Sequence, residues 1–300
     1  MKLITILGPT ATGKTKLAAH VANKTNGEII SADSRQVFKE MNIGTGKDYD
    51  DYIVNGTKIP FHLIDIANAG EEFSVFDFQK WFISAFTDIS SRNKTPILCG
   101  GTGLYLESVL NGYAFSEVPE MAEIREKLSG NSDDELKDLL AALKPLHNTT
   151  DTVNRERLLR AIEIEHYSKS DSVKKLSVPE FESFVFGMNY KRATVTERIT
   201  LRLKERLENG MIDEVKALID GGVPASRLKS YGLEYKFITQ FLLKELSYEE
   251  MFRKLNIAIH QFSKRQMTWF RRMEKKGIDI IWIEGELSLE EKTEFVLERI

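Results

Sequence analysis

One short segment near the N-terminus, Gly8-Pro-Thr-Ala-Thr-Gly13-Lys14-Thr15, limits the possible folds of this 300-residue chain most strongly. It fits the phosphate-loop pattern, in which two glycines enclose four residues and are followed by lysine and a hydroxyl side chain. An apolar run, Leu3–Leu7, precedes it, and helical spacing follows over Lys16–Lys24. Because the pattern requires this strand–loop–helix context, we predict that loop amides and the helix N-terminus surround a diphosphate. Lys14 would reach the terminal phosphate, and the Thr15 hydroxyl suits magnesium.

Strand and helix signals alternate through the first third of the chain. The predicted strands are Leu3–Leu7, Glu28–Ser31, Phe61–Ile66 and Thr95–Cys99. A helix over Ser74–Ile89 separates the last two strands and opens with a capping box of Ser74 and Asp77. This alternation is typical of an α/β fold with a parallel sheet flanked by helices, and the phosphate loop makes that core P-loop NTPase-like.

The sequence changes character in the middle of the chain. Residues 116–177 carry helical patterns rich in Glu, Lys and Leu, with a capping box at Ser132 and Glu135 and almost no strand signal. We therefore predict an inserted all-helical subdomain over residues 114–183. The core domain would comprise residues 1–113 and 184–300.

Core-like signals return after the insertion. A strand is predicted at Ser183–Tyr190, followed by one long helix that begins at the capping box of Thr194 and Glu197. Its apolar face is formed by Ile199, Leu203, Leu207, Met211, Val215 and Leu218.

A last helix is predicted from the capping box of Ser247 and Glu250 to about Arg272, and a strand at Ile278–Ile283 closes the chain. The predicted buried stripe of this helix is Met251, Leu255, Ala258, Phe262, Gln266 and Trp269.

Composition excludes several classes of protein. A formal net charge of −3 argues against a chain coated in positive charge, so any nucleic-acid site must be a local patch. The single cysteine, Cys99, rules out disulfides within the chain and zinc clusters built on several thiolates. The N-terminus lacks the order of a signal peptide and no apolar stretch reaches membrane-spanning length, so we expect a cytoplasmic protein without a membrane partner. A monomer without an obligate protein partner is the simplest expectation.

Polar residues follow the second predicted strand at its carboxyl end, where open α/β sheets usually bind ligands. This segment is Ile29-Ile-Ser-Ala-Asp33-Ser-Arg-Gln36, and it places Asp33 near the group held by the phosphate loop. The Asp33 carboxylate could accept a proton from a nucleophile, or it could cap a following helix. The residues alone favour neither interpretation.

A second glycine-rich loop, Gly100-Gly-Thr102-Gly-Leu-Tyr105, follows the strand at Thr95–Cys99. Glycines, a hydroxyl and a helix N-terminus suit anion binding, although a tight turn also needs glycine. Because two such loops would face one crevice, we favour a functional interpretation.

Two groups of basic residues have alternative interpretations. Arg198, Arg202 and Arg206 recur every fourth residue on one predicted helix, and Lys264-Arg265 and Arg271-Arg272 lie on the last helix. Such side chains usually form a solvated face. The alternative is that an arginine reaches the diphosphate and a lysine–arginine pair grips a nucleic-acid phosphate.

Six motifs occur here in the order seen in tRNA dimethylallyltransferases, and over nearly its whole length the chain resembles that family. They are the phosphate loop, Asp33-Ser-Arg-Gln36, Met41-Asn-Ile-Gly-Thr45, His62-Leu-Ile-Asp65, Gly100-Gly-Thr-Gly-Leu-Tyr105 and Gln261-Phe-Ser-Lys-Arg-Gln-Met-Thr-Trp269. Gly46-Lys-Asp48 stands where the family more usually has Ala-Lys-Pro. Because no zinc-finger segment follows Ile300, the compact bacterial form is expected.

The resemblance implies magnesium-dependent transfer of dimethylallyl from its diphosphate to N6 of the adenosine 3′ of the anticodon in tRNA. Asp33 would accept the proton of the attacking amine, and Thr102 and Arg202 would stabilise the departing diphosphate. The expected diphosphate-binding residues are Gly8, Thr10, Ala11, Thr12, Gly13, Lys14 and Thr15, with Thr15 also binding the metal. The expected contacts to the anticodon arm are Asp33, Ser34, Arg35, Gln36, Arg157, Arg160, Lys264, Arg265 and Gln266.

Two other functions fit the phosphate loop. A small-molecule kinase would use the loop for ATP, Asp33 to activate a hydroxyl and the insertion as a lid. A tRNA-binding nucleotide switch would use the insertion as its effector surface.

Overall fold

The structure is a computed structural model that describes residues 1–146, 150–168 and 175–300. The chain divides into a sheet unit, Met1–Tyr113 with Val178–Ile300, and a helical unit, Ala114–Ser177. The sequence pattern placed the second boundary after residue 183. Residues 178–183 lie with the sheet unit because Val178 and Phe181 pack against its core.

Within the described residues, the chain forms eight strands, twelve α-helices and two 3₁₀ turns. The strands are β1 (Lys2–Leu7), β2 (Gly27–Ala32), β3 (Ile53–Val54), β4 (Thr57–Lys58), β5 (Phe61–His62), β6 (Thr95–Gly100), β7 (Glu182–Asn189) and β8 (Ile281–Glu284). The α-helices are α1 (Lys14–Thr25), α2 (Val75–Ser91), α3 (Gly103–Leu110), α4 (Ala122–Lys127), α5 (Asp133–Leu143), α6 (Arg155–Ser168), α7 (Arg192–Glu208), α8 (Met211–Asp220), α9 (Ala225–Leu228), α10 (Leu233–Leu242), α11 (Tyr248–Lys275) and α12 (Leu289–Leu297). Two 3₁₀ turns span Tyr49–Tyr52 and Thr150–Thr152.

Six strands form one parallel sheet in the order β5-β2-β6-β1-β7-β8, and β3 pairs with β4 as a small antiparallel hairpin. In register, Gly100 pairs with both Leu7 and Ala32. The carboxyl ends of β2, β6 and β1 therefore meet at one edge. The predicted fold class, an α/β core with a parallel sheet flanked by helices, is confirmed.

Alternating strand residues fill two cores, one on each face of the sheet. Leu7, Ile30 and Leu98 belong to the core that includes the aromatic residues of α2. Ile6 and Ile97 belong to the core that includes α1. Because side chains of a strand point alternately to opposite faces, burial of both sets places helices on both sides of the sheet.

A third core lies among α7, α8, α10 and α11 and includes Val37, Phe38 and Met41, which follow β2. The helical unit has its own core between α5 and α6, formed by Leu136, Leu140, Leu158, Leu159, Ala161 and Ile162. Among the described residues, none of the helices combines the length and apolar character needed to cross a membrane.

Capping boxes predicted at Ser74, Ser132 and Ser247 are confirmed as the N-termini of α2, α5 and α11. The box predicted at Thr194 and Glu197 is wrong, because α7 begins at Arg192 and has no side-chain cap.

The single helix predicted after β7 is also wrong. Its apolar stripe continues in phase, but Gly210 adopts a left-handed φ of 94° and separates α7 from α8. Glycine reaches this conformation without the steric penalty of other residues, so the chain turns there.

One predicted strand end and the predicted buried face of α11 differ from the structure. The strand predicted to reach Ile66 stops at His62, because Leu63 and Asp65 have φ values of 64° and 56°. On α11, Phe262 is exposed, whereas Ile259 and Ser263 face the core instead.

Candidate active site

The ends of β2 and β6 approach closely at the edge of the sheet. A Cβ atom added to Gly100 would lie 2.3 Å from the Ala32 carbonyl oxygen, so this contact requires glycine. The Thr102 amide donates to that same carbonyl at 3.1 Å. The Thr102 hydroxyl accepts from the Ser34 amide at 3.0 Å. Thr102 therefore ties the second glycine loop to the segment that carries Asp33.

The phosphate loop lies beside them, between β1 and α1. Ala11 and Gly13 have left-handed φ values of 62° and 73°. The Thr12 hydroxyl donates to the Pro9 carbonyl at 2.8 Å, and the Lys14 ammonium lies 3.4 Å from the same oxygen. These contacts close the loop on itself at the N-terminus of α1, where unpaired backbone N–H groups and the helix dipole favour an anion.

Lys14 lies near both a carboxylate and two arginines. Burial lowers its pKa, the Asp33 carboxylate opposes that effect, and Arg202 and Arg206 add to it. The Cys99 thiol is buried, and burial raises its pKa to about 12. Cys99 is thus a core thiol. Lys14, Arg202 and Arg206 together bring positive charge to the phosphate loop.

The Asp33 carboxylate caps a turn. Its Oδ1 accepts from the Arg35 amide at 2.9 Å, and residues 34–37 form a turn without a helix. The helix-cap alternative is therefore wrong. Within the described ranges, the other carboxylate oxygen of Asp33 has no hydrogen-bond partner, which leaves it available to a ligand in the crevice.

Two glutamines that were predicted to contact tRNA bridge parts of the site. Gln266, on α11, is buried; its Oε1 accepts from the Thr10 amide at 2.9 Å and its Nε2 donates to the Gly101 carbonyl at 2.9 Å. It joins the phosphate loop to the second glycine loop. Gln36 accepts from the Ser31 hydroxyl at 3.0 Å and donates to the Gly46 carbonyl at 3.1 Å.

The arginines predicted on one helix face separate into two environments. Arg198 lies over the Tyr190 ring, with its guanidinium carbon 4.5 Å from the ring centroid. Arg202 lies at the phosphate loop, where its Nη1 is 3.5 Å from the Thr10 hydroxyl. Arg206 lies beside it, and both pair with Asp48. Arg202 thus lies directly beside the phosphate loop.

The other predicted tRNA contacts occupy varied surroundings. Ser34 and Arg35 follow Asp33 in the turn and are half-buried. Lys264 and Arg265 are exposed on α11. In the helical unit, Arg157 is exposed on α6, whereas Arg160 donates to the Val118 and Pro119 carbonyls and pairs with Glu163. The crevice brings together Asp33, Ser34, Thr102, Gln266, Arg202 and the phosphate loop.

Sequence patterns missed the carboxylate that anchors the loop of residues 41–48. Glu214, on α8, accepts from the amides of Asn42, Ile43 and Gly44 at 2.8, 2.6 and 3.0 Å. The Tyr235 hydroxyl donates to the same carboxylate at 2.7 Å. A glutamate on a surface helix gives no local signal for this role, since its partners lie about 170 residues earlier in the chain.

Across residues 1–146, 150–168 and 175–300, no three His, Cys, Asp or Glu side chains come together in a group that could hold a metal ion. A magnesium ion here would need oxygen atoms from a bound diphosphate, which is how many phosphate-binding sites hold it.

The chain is similar in sequence and in overall structure to known proteins. A family model described as IPP transferase matches residues 36–273. The chain is 51% identical over 295 residues to a tRNA dimethylallyltransferase 2 of Phocaeicola vulgatus, covering 98% of this chain and 96% of that protein. Its structure is similar to that of the full-length tRNA isopentenylpyrophosphate transferase from Bacillus halodurans, with a TM-score of 0.71, 30% identity, and coverage of 99% and 96% of the two chains. A eukaryotic dimethylallyltransferase acting on tRNA shares the fold, with a TM-score of 0.76, 24% identity, and coverage of 95% and 74%.

Proposed function

The chain belongs to the IPP transferase family and is a tRNA prenyltransferase, and we propose that it moves a dimethylallyl group from dimethylallyl diphosphate to N6 of the adenosine 3′ of the anticodon. One observation carries this proposal. Three neighbouring strands end at one edge and bring the phosphate loop, Asp33 and Thr102 into one crevice. The site thus offers a diphosphate cradle beside a carboxylate.

The cradle serves the leaving group. As the carbon–oxygen bond to the diphosphate breaks, negative charge grows on the departing oxygens. That charge would be bound by the loop amides, the Lys14 ammonium, the Arg202 guanidinium and the Thr102 hydroxyl, a role supported by their contacts with the two loops and with the turn that carries Asp33. Such groups lower the barrier because their donors are in place before the reaction begins.

Magnesium fits the donors of the site. The Thr15 hydroxyl lies in the first turn of α1, and the ion prefers oxygen ligands that include substrate phosphates. When bound, the ion would neutralise part of the diphosphate charge. Thr15 would be the residue of this chain that holds it.

Asp33 serves the nucleophile. The N6 amine forms a bond to the allylic carbon, the diphosphate leaves with the bonding electron pair, and the amine must lose a proton. The Asp33 oxygen that lies outside the turn would accept this proton. Its other oxygen is held by the Arg35 amide, which fixes the direction of the carboxylate.

A tRNA base must leave its stack to reach this crevice. Ser34 and Arg35 would contact the extruded base or its neighbours. Lys264 and Arg265, exposed on α11, would bind backbone phosphates, and Arg157 and Arg160 would supply further contacts from the helical unit. For Gln36 and Gln266 we propose a positioning role, since both bridge loops of the site.

The test is incubation of the purified protein with magnesium, labelled dimethylallyl diphosphate and unmodified tRNA that has adenosine 3′ of its anticodon. Nucleoside analysis should find the label on N6 of that adenosine. Absence of label, together with phosphate transfer from ATP to a small acceptor, would replace this proposal with a kinase.

A further inference from the structure

Asp48 places a carboxylate against the two arginines that face the phosphate loop. Its Oδ2 accepts from Arg202 Nη2 at 2.7 Å and lies 3.5 Å from Arg206 Nη2. The Asp48 side chain is 51% exposed, whereas those of Arg202 and Arg206 are 30% and 14% exposed. The same Arg202 guanidinium contacts the Thr10 hydroxyl of the loop.

The loop that carries Asp48 is held firmly by contacts that do not involve the arginines. Near the start of this loop, three successive backbone amides donate hydrogen bonds to the Glu214 carboxylate. The ammonium of Lys47, buried directly before Asp48, donates to the Asp65 carboxylate and the Phe38 carbonyl. The loop that presents Asp48 is therefore held by contacts other than those between Asp48 and the arginines.

Close approach of the loop to the arginines depends on Gly46. Its φ is 72°, and a Cβ there would lie 2.3 Å from Arg206 Nη2 and 2.7 Å from Arg202 Nη2. Both guanidinium groups thus rest directly over the loop backbone, within reach of Asp48.

Two neighbouring cations need a counter-charge. Burial, with a further contribution from Arg202, lowers the pKa of Arg206 to about 10. Glu234 lines the same cavity as the two arginines, but burial raises its pKa, and Lys14 adds a further positive charge nearby. Among the described residues, Asp48 is the carboxylate that forms ion pairs with both arginines.

We propose that Asp48 is a resident counter-anion of the diphosphate site, which Arg202 exchanges for the diphosphate when the donor binds. This inference rests on the proposed function and deepens it. The free energy of diphosphate binding gained from a new arginine–phosphate contact is then smaller, because the charge-assisted hydrogen bond between Arg202 and Asp48 is lost at the same time. Asp48 would therefore weaken binding of the donor and of the released inorganic diphosphate alike, which favours product release.

The test is calorimetric titration of the full chain with inorganic diphosphate and magnesium, without tRNA or prenyl donor. For Asp48→Asn, the dissociation constant should fall about fivefold, the size expected for a partly exposed ion pair. Asp48→Glu keeps the charge and should bind about as weakly as the unaltered protein. Asp50→Asn is the matched control, because Asp50 is exposed two residues away and forms no ion pair within the described part of the chain.

Tighter binding by Asp48→Asn alone would support the exchange. Binding by Asp48→Asn that equals that of Asp50→Asn would overturn it, as would weaker binding, which would make Asp48 a support for the arginines. Because no prenyl transfer is measured, failure here leaves the proposed function standing. Conversely, if the transfer assay yields no labelled tRNA, the titration still tests the role of Asp48, because it measures only the binding of inorganic diphosphate.

Discussion

Replacing Gln266 by Met removes the bridge between the two loops of the site while keeping a side chain of similar length. Two hydrogen bonds are lost, a partly buried one from the Thr10 amide and a buried one to the Gly101 carbonyl, each at 2.9 Å. At about 1 kcal/mol net for each bond, the free energy of unfolding should fall by about 2 kcal/mol. If diphosphate binding must restore the same loop arrangement, its dissociation constant should rise by up to about 30-fold.

Urea unfolding and calorimetric titration with inorganic diphosphate and magnesium measure the two effects. Gln261→Met is the matched control, since Gln261 is exposed on the same helix and should change neither quantity. Unchanged diphosphate binding by Gln266→Met, together with weaker tRNA binding, would refute the bridging role and restore the predicted tRNA contact.

Two further variants test other parts of the account. Burial alone would raise the pKa of Glu107, but hydrogen bonds from Lys276, Tyr113 and Arg272 outweigh it and hold the pKa at about 2. The ionised Glu107 carboxylate therefore stabilises the folded protein above the usual pKa of 4.5. This contribution to the free energy of unfolding, about 3 kcal/mol, is lost as the pH falls towards 2. In acid titrations of stability, Glu107→Gln should lack this component; identical pH profiles for the two proteins would contradict it. Arg202→Ala should weaken diphosphate binding and slow single-turnover transfer, each by about tenfold or more, since a charge-assisted contact is lost. Unchanged values for both would limit Arg202 to its contact with Asp48.

Much of the site could be predicted from local sequence because it lies at strand ends. The phosphate loop, Asp33 and Thr102 each follow a strand that the apolar pattern identifies within a residue or two. Parallel strands present their carboxyl ends at one edge, so their loops meet whatever the rest of the chain does.

Contacts made from distant helices could not be predicted in this way. Gln266 accepts a hydrogen bond from Thr10, which lies 256 positions earlier in the chain. Its position on a predicted apolar stripe does not indicate which groups it would hydrogen-bond. The break between α7 and α8 was hidden for a related reason. The apolar period continues unchanged across Gly210, and only the glycine itself signals the turn.

Single-turnover transfer by Asp33→Asn tests most directly the claim that this crevice holds both the diphosphate and the attacking base. With dimethylallyl diphosphate, magnesium and unmodified tRNA, the rate should fall about 100-fold or more, because a general base is lost. Binding of inorganic diphosphate should persist, and Asp50→Asn should transfer at the unaltered rate. A near-normal rate for Asp33→Asn would show that the carboxylate only caps its turn and that the proton leaves by another route.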